Sequence, residues 1–90
     1  MTIRVGFIGA GFIARYHAHQ LHSCRVDHDI VAVYDSADHR RNRFAEAERA
    51  ISCEGPAQVV EASDVVFVCT WTSEHLPMVR LVCDAGRALF

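Results

Sequence analysis

Val5-Gly6-Phe7-Ile8-Gly9-Ala10-Gly11-Phe12-Ile13-Ala14 is the stretch that decides the fold of this 90-residue chain. An apolar run halts at glycines and a segment of helical periodicity follows, which predicts a strand, a sharp reversal and a helix start. Within the turn, Gly9 permits the reversal, Gly11 lets the backbone approach a pyrophosphate, and Ala14 keeps the new helix close to the sheet. The helix would then aim its free N–H groups and the positive end of its dipole at the phosphates. Asp35, twenty-one residues after Ala14 at the end of the next apolar run, stands where a ribose would be held. The predicted dinucleotide site thus has Gly9, Gly11, Phe12 and Ile13 at the turn, with Asp35 and Ser36 at the ribose end.

Outward from this turn, strands and helices alternate. Ile3 to Ile8 is the first strand, central and buried on both faces. A helix from Phe12 to about Ser23 carries Ile13, Ala14, His17, Ala18 and Leu21 on its apolar side. Arg25 to Asp29 reads as a polar connection, and Ile30 to Tyr34 as the second strand. Ser36 is the expected N-cap of a helix over about Ala37–Ala50, with Phe44, Ala45 and Ala47 packing and the arginines in solvent. Ile51 to Cys53 forms a short edge strand, a short helix ends at Ala62, and Val65 to Cys69 is a second central strand. Ser73 is expected to cap a last helix, with Pro77 in its first turn, a stripe of Leu76, Val79, Val82 and Cys83, and Gly86 as its stop. Arg87 to Phe90 opens a fifth strand. Right-handed crossovers between these elements imply a single α/β domain over residues 1–90, a doubly wound parallel sheet of order 3-2-1-4-5, incomplete at its C-terminal edge. Its unpaired apolar edge predicts an isolated chain prone to aggregate.

Composition narrows the class of partner. With 51% hydrophobic residues and a formal net charge of −2, the chain fits neither a disordered segment nor a nucleic-acid binder, and a small molecule is the expected ligand. No apolar run approaches the ~20 residues that span a bilayer, and nothing resembles a signal peptide. Cys24, Cys53, Cys69 and Cys83 lack C-x-x-C spacing and read as reduced core thiols of a cytoplasmic protein. All nine basic residues are arginine, so the chain has no lysine to offer to catalysis.

Three clusters could carry chemistry. Asp35 can accept bonds from both ribose hydroxyls and would repel a 2′-phosphate, which favours NAD over NADP. Arg40 and Arg41 could pair such a phosphate if they curl back, but they read as solvated helix surface. Thr70, Trp71, Thr72 and His75 follow the carboxyl end of the fourth strand, where they would face the same crevice and line its nicotinamide end; capping hydroxyls and a packed tryptophan would explain the same residues. His17, His19 and His22 do not make a metal site by this reading. His17 falls on the apolar side of its helix, the other two share a face with Arg15, and no carboxylate or cysteine is expected nearby to complete a site.

Val5–His17, Val31–Ser36 and Val65–Pro77 together resemble the N-terminal domain of the Gfo/Idh/MocA family of oxidoreductases, named for glucose-fructose oxidoreductase and inositol dehydrogenase. The third segment discriminates, because a strand running into a T-P-x-x-x-H type turn is similar to this family in particular. Here Trp71 stands where proline is usual, and Thr72 where asparagine is frequent. The resemblance implies a Rossmann domain that binds a dinucleotide, within an enzyme passing a hydride between nicotinamide and a hydroxyl carbon of a sugar or polyol. It also implies an E-K-P motif with a catalytic lysine and a second α+β domain beyond Phe90, so that this chain would be a truncated or separately encoded cofactor half, a homo-oligomer being open to the complete form. A non-enzymatic NAD(H)-sensing module and a binder of S-adenosylmethionine are the alternative readings of the same turn.

Overall fold

The computed structural model describes residues 2–70 and 72–90, with the backbone alone for residues 72–74. Its elements alternate as expected: β1 (Ile3–Ile8), α1 (Phe12–His22), β2 (His28–Tyr34), α2 (Asp38–Glu48), β3 (Ile51–Ser52), α3 (Pro56–Ala62), β4 (Val65–Val68), α4 (Thr72–Asp84) and β5 (Ala88–Leu89). All strand pairs are parallel, and the order β3-β2-β1-β4-β5 is the one that the alternation predicts. β1 lies between β2 and β4, so its side chains alternate between two covered faces. Val5 and Phe7 point to one core with Ala14, Ala18, Phe44 and Phe67, where the Phe7 ring lies 5.0 Å from those of Phe44 and Phe67. Ile8 points to the other core with Val59, Val66 and Val82. This double burial is why β1 and β4 are runs of apolar residues without polar alternation. Arg4, the charge inside β1, stays outside both cores and pairs with Asp64 at 3.0 Å.

Element boundaries differ where through-space partners take over from local pattern. β2 begins at His28, because His28 and Asp29 pair in register with Ile3 and Arg4 despite their polarity. α2 begins at Asp38 with Ala37, not Ser36, at the N-cap position, and no side chain caps it. The N–H of Ala37 is taken by Asp35 Oδ1 at 2.8 Å, and Ser36, one residue before the N-cap, is exposed. That helix ends at Glu48 because Arg49 adopts the left-handed conformation (φ 56°), and Ala47 is exposed while Phe44 and Ala45 are buried. Two arginines of α2 depart from the expected solvated surface, while Arg43 keeps to it: Arg40 turns to Asp35, and Arg41 bonds Ser52 Oγ at 2.8 Å.

α4 starts at Thr72, so Ser73 lies inside its first turn and Pro77 inside the helix. Its packed stripe is Met78, Leu81 and Val82, while Leu76 and Cys83 are exposed. On α1, Ile13 is likewise exposed (54%) instead of packing on the sheet. Of the four thiols only Cys53 is buried; Cys69 is half-buried, and Cys24 and Cys83 are exposed.

Gly6 has a role that local pattern does not reveal. A Cβ there would sit 2.2 Å from Ser63 Oγ and 2.6 Å from Val59 Cγ1, so α3 packs directly on the backbone of β1. Ser63 is fully buried and donates its hydroxyl to the Val59 carbonyl at 2.7 Å, which fixes it in place. Gly6→Ala is therefore expected to lower the stability measured by urea unfolding by about 1–3 kcal/mol, the range for overpacking a core.

Candidate functional site: a cleft at the carboxyl edge of the sheet

The strand order reverses between β1 and β4, and at such a point of a doubly wound sheet the carboxyl ends open onto a crevice. Gly9 threads the chain through it. Its φ of +102° is a conformation that side chains disfavour, its N–H donates to the Tyr34 carbonyl at 2.7 Å, and a Cβ would lie 2.5 Å from the Cys69 carbonyl oxygen. Gly11 is different: an added Cβ would meet nothing within 4 Å. As the N-cap of α1 it makes no side-chain cap bond, no acidic residue occupies the helix's first turn, and the Arg15 N–H bonds the Gly11 carbonyl at 3.1 Å. The N–H groups before Arg15 thus have no helical partner, beside open space that a side chain at residue 11 would fill.

Asp35 closes the other side. Only 7% exposed, its Oδ2 accepts the Ala10 N–H at 2.8 Å and its Oδ1 the Ala37 N–H at 2.8 Å. Arg40 adds a two-pronged contact, Nη2 to Oδ1 at 3.0 Å and Nε to Oδ2 at 3.4 Å. Burial by itself would raise the carboxyl's pKa, but the Arg40 bonds, the Ala37 and Ala10 N–H groups and the Arg40 charge together hold it below the ordinary carboxylate range. Asp35 is therefore a carboxylate at neutral pH, locked onto the glycine turn from the end of β2.

The cleft between these walls has a volume of about 510 Å³, and Gly9, Gly11, Phe12, Ile13, Asp35, Ser36 and Thr70 all line it. That gathers seven of the ten sequence-predicted site residues. Trp71 lies outside the described residues, as does the side chain of Thr72. His75 is not among the lining residues; its Nε2 bonds the Val68 carbonyl at 3.0 Å, tying α4 to the end of β4. Tyr34, Cys69 and Met78 also line the cleft and were not foreseen, and Arg40, read from the sequence as solvated surface, lines it as well. Only Arg40 carried a signal, a charge one helical turn beyond the strand-end acid. Thr70 Oγ1 is buried with no hydrogen-bond partner, the kind of group that a polar ligand in the cleft would satisfy.

Cys69 is the one thiol in this cleft, and burial pushes its pKa up to about 11. At pH 8 only about one part in a thousand would be thiolate, so alkylation by iodoacetamide is expected to spare Cys69 while modifying exposed Cys24 and Cys83. Peptide mapping of the alkylated chain checks this.

Behind the glycine turn, α1 and α2 enclose a second hollow of about 540 Å³, lined by Arg15, His19, His22, His39, Arg40 and Arg43 among others. One detail corrects the sequence reading: a carboxylate does lie beside these histidines, since Glu48 of α2 pairs with His22 Nε2. Among the described residues no three His, Cys, Asp or Glu side chains converge as a metal site would require. His17 lies half-buried, its ring 5.4 Å from that of Phe67. No helix among the described residues is long and apolar enough to cross a membrane.

Known proteins resemble this chain in sequence and in fold. Residues 3–90 match a family described as "Oxidoreductase family, NAD-binding Rossmann fold". Inositol 2-dehydrogenase 3 of Saccharopolyspora erythraea is 35% identical over 92 residues, spanning 100% of this chain and 27% of that protein. Inositol 2-dehydrogenase of Cereibacter sphaeroides is 33% identical over 92 residues, spanning 100% of this chain and 28% of that one. Among solved structures, a UDP-N-acetylglucosamine 3-dehydrogenase from Acidithiobacillus ferrooxidans superposes with a TM-score of 0.87 at 23% identity over 100% of this chain and 29% of that chain, a likeness of fold. The chain spans little more than a quarter of the length of these relatives. With the matched residues running from the first strand through the fifth, the chain belongs to the Gfo/Idh/MocA oxidoreductase family, of which it carries the NAD-binding Rossmann fold.

Proposed function

We propose that this chain binds NAD in the cleft at the carboxyl edge of the sheet, as the cofactor-binding part of an oxidoreductase. One observation carries the reading: a buried carboxylate, Asp35, is hydrogen-bonded to the glycine turn itself, through Ala10, beside the open backbone of Gly11. In this reading the pyrophosphate lies over Gly11, Phe12 and Ile13, and the adenosine ribose reaches Asp35 and Ser36. A 2′-phosphate would meet the Asp35 carboxylate, which favours NAD over NADP. Thr70, Trp71 and Thr72 take the nicotinamide end, with His75 holding α4 to the end of β4.

The bound cofactor would supply hydride transfer; the residues of this chain would bind and orient it. The whole protein's substrate, by analogy with the inositol 2-dehydrogenases, is a polyol or sugar whose hydroxyl carbon exchanges a hydride with nicotinamide. A lysine serving as proton carrier would have to come from outside these 90 residues, all of whose basic side chains are arginine. The unpaired thiols accord with a cytoplasmic setting, and a homo-oligomer is the assembly proposed for the complete form.

NADH titration into the chain tests the reading by two readouts. Calorimetry reports binding, and Trp71, the only tryptophan, is expected to be quenched or to transfer energy to the reduced nicotinamide. Calorimetric binding without a change in Trp71 emission would remove Trp71 from the nicotinamide end. No binding at all would remove the cofactor assignment.

A further inference from the structure

Asp35 has no vacancy for a ribose as it stands. A carboxylate offers about four acceptor positions, and here they are taken by Ala10, Ala37 and the two Arg40 contacts. The backbone contacts belong to the turn and to the start of α2, so they stay. Arg40, with a side chain 41% exposed, is the partner able to leave.

Arg40 also lines both hollows, the cleft and the groove between α1 and α2, where Arg15, Arg43 and His39 add positive or protonatable groups. Resting on the dinucleotide reading above, we propose that Arg40 is a specificity-determining residue that competes with the ribose diol for Asp35 and pairs a 2′-phosphate when one is present. Its planar guanidinium matches a phosphate two bonds at a time, and it is held within reach of the ribose end by its present grip on Asp35. The repulsion that Asp35 alone would offer to NADP is thereby blunted, and the chain accepts both dinucleotides. NAD binding, in turn, works against the Asp35–Arg40 pair that has to open for it.

Removing the guanidinium should move the two ligands in different directions. Calorimetric titration of NADH and NADPH into the chain is expected to show NADPH weakened by roughly tenfold or more in Arg40→Gln, the loss of a charge-assisted contact, with NADH unchanged or tighter. Arg40→Lys, which keeps the charge, should retain more NADPH affinity than Arg40→Gln and guards against misfolding of that variant. Parallel weakening of both ligands in Arg40→Gln would show a merely structural role and overturn the proposal. So would a wild-type chain that binds NADH but not NADPH, a result that leaves the dinucleotide site standing. Binding of neither ligand by the wild type would overturn the site and this role together.

Discussion

Gly9→Ala is expected to cost about 3 kcal/mol and to lower the melting temperature by roughly 10–25 °C, on the scale of ~4–8 °C per kcal/mol for a domain of this size. Two terms add. A side chain in the left-handed region costs about 1–2 kcal/mol, and overpacking adds about 1–3 kcal/mol, since the new methyl would lie 2.5 Å from the Cys69 carbonyl oxygen. That obstacle is backbone at the end of a central strand, which cannot rotate away as a side chain would. Set against the roughly 5–13 kcal/mol that holds together a domain of about this length, one methyl removes a large share of the stability. Circular-dichroism melts of the two chains decide it; equal melting temperatures would mean that β1 and β4 part more readily than their burial implies.

Asp35→Ala is expected to affect both the fold and the cofactor. The buried Ala10 N–H loses its acceptor, and a donor left unpaired in the interior costs about 1–3 kcal/mol. For the ligand, the two ribose bonds to a charged acceptor would be lost, but they displace Arg40 when they form. The net loss of NADH affinity is therefore expected near the lower end of such contacts, about 1.5 kcal/mol or roughly tenfold. The stability difference should also depend on pH. Because the folded carboxyl titrates below its unfolded value of about 3.9, its contribution is complete above that value and disappears as the pH falls through the lowered folded one. Wild type and variant melts should accordingly converge in strong acid and differ by a constant amount from about pH 5 upward.

The sheet was legible because its signals are local. A parallel sheet covered on both sides demands unbroken apolar strands, and Val5–Ile8, Ile30–Tyr34 and Val65–Val68 are such runs, separated by segments of helical period. The turn was legible for the same reason: Gly9 answers to a backbone requirement, its φ of +102°, and Asp35 stands at the end of the next strand within reach of the Ala10 N–H. What escaped were contacts between residues far apart in sequence. Val59 and Ser63 pressing on Gly6 left no local trace, and neither did Glu48 reaching His22. The Ser36 cap failed because the helix starts one residue later than the pattern suggests, with Ala37 in extended backbone at the N-cap and its N–H held by Asp35. Val82 keeps its place in the α4 stripe, but Met78 and Leu81 replace Leu76 and Cys83 because the face turned to α3 and β4 depends on how the helix is docked, which its own period leaves open.

The central claim, that the open backbone at Gly11 is where a dinucleotide's phosphates lie, is tested most directly by comparing NADH binding to the wild-type chain and to Gly11→Val by calorimetry. A Cβ added at residue 11 meets no atom of another segment within 4 Å, so the variant is expected to fold, at a cost of about 1 kcal/mol for a poorer N-cap, while filling the space beside the α1 N-terminus. The expected result is heat of binding for the wild type and none for the folded Gly11→Val chain. Equal NADH affinity in the two chains would contradict the account.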